Sequence, residues 1–346
     1  MINWQSLLKK SITRIDQLPD NFPVDRDNLH AVIRTYPMRI NPYYFQLIQK
    51  PGDPFWLQAV PDPLELADTV CYDDPLDEEN LSPVPNLVHK YPDRALFLVS
   101  SQCAMYCRFC TRKRKVGTGK MQISDATVTA GLEYLKQTPA VHDVLVSGGD
   151  PLLLPDEKLD WILASLRKIK SIEIIRIGTR VPCTLPMRVT QKLARLLKKY
   201  HPLYINTHFN HPDEMTQEAS LACNRLADAG IPLGCQTVLL KGVNDKSEII
   251  RQLMHKLLLN RVKPYYLFQG DMTRGTNHFR TPIATGLKIM EFLEGHTSGM
   301  AVPALAVDLP HGCGKVRLHS GNVPASGINK EFINYQGQGC MYIDVI

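Results

Sequence analysis

The sequence predicts an α/β fold, a partial (β/α)6 barrel preceded by a helical N-terminal arm. Three observations carry this. Short aliphatic or β-branched runs begin near Ala95, Asp143, Glu173, Leu203, Leu233 and Val262; after the first, longer interval they recur at about thirty residues, the length of one strand-plus-helix unit. Between them, Leu132-Glu-Tyr-Leu135, Leu159-Asp-Trp-Ile-Leu163, Leu193-Ala-Arg-Leu-Leu197 and Leu253-Met-His-Lys-Leu-Leu258 space their apolar residues like one face of a helix. Finally, unusual polar residues gather where the runs end, the side on which parallel barrels carry their active sites.

Residues 1–90 lack a strand pattern and read as the arm, with short amphipathic helices over Asp27–Ile33 and Pro42–Ile48 and breaks at Pro51-Gly-Asp-Pro54 and Pro61-Asp-Pro63. The barrel is expected over 91–310. Along it, a cysteine loop follows the first run and Ser147-Gly148-Gly149-Asp150 ends the second. Arg176, Thr179 and Arg180 lie at or after the third, and Asn206, His208 and Asn210 at or after the fourth. Gln236 sits in the fifth, and Asp271 follows the sixth. A further run, Ala301–Val307, reads as a strand near the rim and leads to Asp308. Residues 311–346 form a C-terminal segment.

Hydrophobic residues make up 44% of the 346, an ordinary globular content, yet no run approaches the roughly 18 apolar residues of a membrane span and the N-terminus has no signal-peptide pattern. A cytoplasmic protein is expected. Nine unevenly scattered cysteines do not resemble a secreted disulfide framework. The net charge of +6 is modest, with local excess in Arg108, Arg112, Lys113, Arg114 and Lys115. That run reads first as a solvated face, with binding of an anionic substrate group or docking of an acidic electron donor as alternatives. Nucleic-acid binding has no aromatic interleaving to support it.

The chemistry begins at Cys103-Ala-Met-Tyr-Cys107-Arg-Phe-Cys110. Three cysteines four and three positions apart let one short loop turn all three thiolates to one centre, holding three irons of a four-iron cluster and leaving the fourth open. Structural zinc closes a tetrahedron with a fourth ligand; on spacing alone a zinc site or three unrelated cysteines remain open. Gly148 and Gly149 mark either a close backbone approach to a ligand or a plain tight turn.

The CxxxCxxC spacing, followed by Gly-Gly-acid at the next strand end, resembles radical S-adenosylmethionine (SAM) enzymes. Longer motifs narrow this: Met105-Tyr-Cys-Arg-Phe-Cys-Thr-Arg112, Ser82-Pro-Val-Pro85, His89-Lys-Tyr-Pro-Asp-Arg94, Asn206-Thr-His-Phe-Asn-His-Pro212, His278-Phe-Arg-Thr-Pro282 and His296-Thr-Ser-Gly299 resemble the lysine 2,3-aminomutase family. The resemblance runs from about residue 4 to about residue 340. It implies a barrel of the radical SAM type with three cofactors: a [4Fe-4S] cluster on Cys103, Cys107 and Cys110, SAM at Ser147, Gly148, Gly149, Asp150 and Gln236, and pyridoxal phosphate (PLP). The PLP imine would form on Lys315 of His311-Gly-Cys-Gly-Lys315, with Tyr91 and Arg94 near the ring and phosphate. Arg112 would bind the substrate α-carboxylate, and Asp271 and Asp308 its side-chain ammonium.

The implied reaction is the conversion of L-lysine to β-lysine, in which a 5′-deoxyadenosyl radical starts migration of the α-nitrogen to C3 while PLP holds it as an imine. It requires a reductant of the reduced flavodoxin or ferredoxin type. Family members that bind structural zinc use a cysteine-rich tail. Lys246 stands where that site would draw another cysteine, so no structural zinc is expected; a homo-oligomer still is. Relatives that modify a translation factor, or act on glutamate or arginine, are the runners-up, followed by a tRNA-modifying radical SAM enzyme without PLP and a zinc-bound interaction module.

Overall fold

The structure, a computed structural model, describes residues 3–19, 22, 24–324 and 327–345. Its main sheet has nine strands in sequential order: β1 Leu87–Tyr91, β2 Arg94–Ser100, β3 Asp143–Gly148, β4 Ile174–Gly178, β5 Leu203–Thr207, β6 Leu233–Leu239, β7 Val262–Gln269, β8 Ala304–Leu309 and β9 Gly314–Arg317. β2 to β8 pair parallel, while β1 and β9 run antiparallel at the two edges. The partial barrel is therefore as predicted, with one refinement. The run expected at the rim is β8, a seventh parallel strand in register with β7 (Tyr266↔Ala304).

The helical spacing read in the sequence is the packing face. The helix Asp156–Arg167 buries Leu159, Ile162, Leu163 and Leu166, and Ser247–Leu259 buries Ile250, Leu253, Met254 and Leu257. Ser124, Thr190 and Thr216 cap three crossover helices by accepting from backbone N–H groups of the first turn. In β6 every second residue is buried, including Cys235 and Thr237. Strands of a parallel sheet covered on both faces lose such alternation; here it survives because one face meets helices and the other looks into an open lumen.

The arm folds back onto its own barrel. Its α-helices are Trp4–Lys9, Arg26–Thr35, Pro42–Phe45, which ends earlier than the sequence suggests, and Pro54–Ala59. Ile40 bridges to Met105 in the cysteine loop, and the Tyr44 hydroxyl donates to Glu214 at 2.8 Å. A C-terminal hairpin, β10 Asn329–Ile333 and β11 Gly339–Ile343, covers the opposite edge with Phe332, Cys340 and Tyr342 buried. One cysteine pair departs from expectation: Cys313 and Cys340 form a disulfide across a Cα–Cα distance of 6.3 Å, tying this hairpin to the β8–β9 turn. The pairing is invisible in the sequence because 27 residues separate the partners. Among the described residues no helix is long and apolar enough to cross a membrane.

Candidate active site

β2 ends at Ser100, and the loop beyond it is shaped by the arm. Arg39 donates to the Gln102 side chain at 2.9 Å and to the Cys103 carbonyl at 3.3 Å, and Asn41 donates to the Ala104 carbonyl at 3.1 Å. Cys103, Cys107 and Cys110 thereby line one cavity of about 330 Å³. The basic run that follows is not a solvated face. Arg108 and Lys113 are buried on Glu65 at 2.5 and 2.9 Å, Arg112 lies on Glu78, Arg114 on Asp74 and Glu79, and Lys115 on Glu79. Burial alone would raise the Glu65 carboxyl, but Arg108 and Lys113 hold it below its ordinary range. Removing one partner of such a buried pair strands a charge at a cost of about 3–5 kcal/mol, so these contacts lock the loop to the arm. The carboxylates come from 30 to 50 residues upstream, which is why the local sequence misreads the run as solvated.

The donor set fits an iron–sulfur cluster. Burial first, and then neighbouring cysteine charge, push the Cys103 and Cys110 thiols up, so three thiolates together require positive charge between them. Arg180 donates to Cys107 Sγ at 2.8 Å and the Arg112 backbone N–H to Cys110 Sγ at 3.3 Å, the contacts that steady metal-bound thiolates. Among the described residues no three His, Cys, Asp or Glu side chains close on a single ion.

The Gly-Gly turn has a reason that spacing alone did not show. A Cβ on Gly148 would stand 2.2 Å from the Ser100 carbonyl oxygen, and one on Gly149 would stand 2.4 Å from that of Gln102. These glycines admit the start of the cysteine loop: Gly149 N donates to Ser100 O at 2.5 Å and Asp150 N to Gln102 O at 2.6 Å. Gly149→Ala is therefore expected to displace that loop and lower iron per chain after reconstitution, measured by iron assay and visible absorbance; full iron content would contradict this. The Asp150 carboxyl faces protein. It accepts from the Thr179 hydroxyl at 2.7 Å and the backbone N–H groups of Arg180 and Val181 at 2.8 and 3.1 Å, while burial raises it to about 6 against those bonds.

Across the cavity, His208 lies beside Phe109, its ring nitrogen donating to Asn210 Oδ1 at 2.9 Å. Burial, helped by Arg180, pushes it down to about 3, so the imidazole is neutral. Asn206 lines the same cavity with an amide nitrogen that has no hydrogen-bond partner among the described residues. An orphaned donor in the cavity that the glycine turn also lines fits a polar cofactor such as SAM.

The other end of the site is built by the β8–β9 turn. Antiparallel pairing puts Lys315 opposite Asp308, with Nζ 3.9 Å from Oδ2. That amine also lies 4.5 and 4.4 Å from the ring centres of Tyr266 and Phe268. The Lys315 backbone N–H donates to the Tyr91 hydroxyl at 3.0 Å, joining the two edge strands, and Arg94 stacks 4.0 Å over the Tyr91 ring. Asp271 is half-buried, its Oδ1 enclosed and without a hydrogen-bond partner among the described residues, and desolvation, with Asp308 adding its charge, pushes its carboxyl up to about 8. An amine beside an aromatic face and a stacked cation fits a PLP site with a phosphate-binding end.

The cavity thus joins Cys103, Cys107, Cys110, Arg112, Ser147, Gly148, Gly149, Asp150, Gln236 and Asp271 along one wall system. Lys315 adjoins it through Phe268, with Asp308, Tyr91 and Arg94 beside that lysine. Arg176 is not at the mouth; it pairs with Asp143 at 2.7 Å, at the opposite end of β3. Sequence reasoning missed Glu78, which holds Arg112, and Lys90, whose ammonium feels Asp308, Lys315 and Asp271 while burial lowers its pKa. Lys90 adjoins Tyr91 within a quoted motif, a signal that was available; Glu78 had none.

Residues 97–254 match the family described as the Radical SAM superfamily, and residues 290–344 the family described as Lysine-2,3-aminomutase. The chain is 46% identical over 342 residues to the L-lysine 2,3-aminomutase of Acetoanaerobium sticklandii, covering 97% of this chain and 83% of that protein. It is 44% identical over 351 residues to the L-lysine 2,3-aminomutase of Clostridium subterminale, covering 99% and 84%. The glutamate 2,3-aminomutase of Clostridioides difficile is 42% identical over 321 residues, covering 91% and 76%. Among solved structures, a radical SAM methyltransferase from Sphaerobacter thermophilus aligns with a TM-score of 0.47 at 19% identity, over 64% of this chain and 68% of that one.

Proposed function

Because the chain belongs to the lysine 2,3-aminomutase family of radical SAM enzymes, we propose that this isomerase acts on L-lysine, moving its α-amino group to C3 to give β-lysine. The observation that carries the substrate is the pairing of Asp271 and Asp308 beside Lys315. Two carboxyls in one enclosed site repel each other unless a cation joins them, and a lysine side chain brings that cation. The γ-carboxylate of glutamate would instead bring a further carboxyl group to a site that already holds two, which sets this chain against the glutamate-specific relative.

When bound, the [4Fe-4S] cluster with SAM and the PLP together provide a hydrogen-abstracting radical and an electrophilic carbon that retains the migrating amine. The chain's own residues hold and orient. Cys103, Cys107 and Cys110 would bind the cluster, and Ser147, Gly148, Gly149, Asp150 and Gln236 would flank SAM. Lys315 Nζ is the amine that would tether PLP until substrate amine replaces it, with Tyr91 against the ring and Arg94 toward the phosphate. Arg112 would grip the α-carboxylate in fork geometry, while Asp271 and Asp308 receive the far ammonium. Tyr266 and Phe268 lay their rings against that amine.

The reductant in this reading is a flavodoxin or ferredoxin type donor, the assembly a homo-oligomer and the compartment the cytoplasm. Anaerobic incubation with L-lysine, SAM, PLP and reductant should yield β-lysine, read by chromatography. Faster turnover of glutamate or arginine would overturn the lysine assignment.

A further inference from the structure

We infer that Glu78 is the positioning residue for Arg112, fixing which edge of the guanidinium meets the substrate carboxylate; this rests on the reading of Arg112 as the carboxylate-binding residue. Glu78 is 5% exposed, and its carboxylate accepts Arg112 Nε at 3.0 Å from both oxygens and Nη2 at 2.5 Å. Nη1 donates to the Gly148 carbonyl at 3.4 Å, and the Arg112 backbone N–H to Cys110 Sγ. A guanidinium has five N–H groups. Glu78 and Gly148 account for three and leave one on each terminal nitrogen, a two-point grip for a carboxylate.

Among the described residues the Glu78 carboxylate pairs with Arg112 alone, since Arg114 and Lys115 take Asp74 and Glu79. It lies on a segment of the arm that packs against the loops following β7 and β8. Tyr72 exchanges backbone bonds of 2.8 Å with Met272 and Arg274 beyond β7, and its ring lies 4.5 Å from His311 in the β8–β9 turn. A Cβ on Gly312 in that turn would stand 3.0 Å from Asp77. The residue before Glu78 thus packs on the turn that carries Lys315, so one short segment sets Arg112 relative to that lysine. A free arginine samples many rotamers, and a long side chain held to one geometry keeps its grip aligned with the reacting carbon.

Glu78 also opposes the positive charge of Arg112, so a purely electrostatic role would make Glu78→Ala bind carboxylates more tightly. Positioning makes the opposite prediction. The test measures binding of L-lysine and of L-lysinamide, which lacks the carboxylate, to PLP-loaded enzyme by calorimetry, beside steady-state KM and kcat. Wild type should prefer lysine. Glu78→Ala should lose that preference on the order of tenfold, mostly in KM, as Arg112→Ala does, while Glu78→Gln, which keeps an acceptor oxygen, should retain most of it.

Full preference in Glu78→Ala alongside its loss in Arg112→Ala would overturn the positioning role only. Full preference in Arg112→Ala would overturn the carboxylate reading itself, and this inference with it. If Glu78→Ala does not fold, Glu78→Asp decides, since it keeps the charge but draws the carboxylate back from Arg112 by one methylene: loss of preference supports positioning, and an unchanged preference overturns it.

Discussion

Lys315→Ala is expected to lose β-lysine formation by at least about a thousandfold while keeping the iron–sulfur absorbance. The two cofactor ends are carried by different parts of the chain: the cysteine loop is held by the arm through Arg39 and Asn41, whereas Lys315 stands on the β8–β9 hairpin. Removing one amine from β9 leaves the cysteine loop's supports untouched. The PLP imine band should vanish, because an alanine has no nitrogen with which to form it. The folded state should persist, since the Lys315 contact to Tyr91 is made by its backbone N–H. An unchanged imine band would move the tether to another amine, and Lys90, which shares the same carboxylates, would be the first to test.

Substituting either aspartate should be nearly as severe for lysine. Asp271→Asn or Asp308→Asn leaves a buried substrate ammonium short of one partner, a loss of about 3–5 kcal/mol, or roughly two to four orders of magnitude in kcat/KM. Unchanged lysine turnover in both variants would remove the basis of the substrate assignment. The pair also predicts a pH dependence. Burial, then Asp308, push Asp271 up to about 8 in the free protein, so it carries a proton at neutral pH.

A cationic substrate favours the carboxylate, so lysine binding should release a proton near pH 7, and affinity should rise as pH approaches 8. The sign for stability runs the other way. The unfolded aspartate titrates near about 4, so between there and 8 the folded protein binds the extra proton, and ligand-free stability falls as pH rises through that window. Calorimetry in buffers of different ionisation enthalpy reads the released proton, and melting from pH 5 to 9 reads the stability. Asp271→Asn should flatten both; a wild type that binds lysine with no proton release would contradict the raised Asp271.

Much of the site was legible because its signals are short-range. Cys103, Cys107 and Cys110 lie within one loop, the Gly-Gly turn ends one strand, and the faces of the crossover helices repeat with helical period. What failed was of longer range. The edge strands β1 and β9 and the C-terminal hairpin went unread because they fall outside the thirty-residue strand-plus-helix repeat that marks the equally short β4 and β5. Ala301–Val307 was a strand in the sequence, but only pairing with β7 makes β8 part of the barrel. The basic run looked solvated because Glu65, Asp74, Glu78 and Glu79 reach it only after the arm folds back.

The sequence alone determined the fold class and, through its motifs, the residues expected to hold the cluster and to meet each other cofactor and substrate group. Tertiary structure decided which of them touch. Lys315 meets Tyr91 across 224 residues, and Asp271 feels the charge of Asp308 only because β7, which leads to the one, is paired with β8, which carries the other. The reason is physical: periodicity and loop spacing follow from covalent geometry over a few residues, whereas the partner of a buried charge is chosen by how the whole chain excludes water.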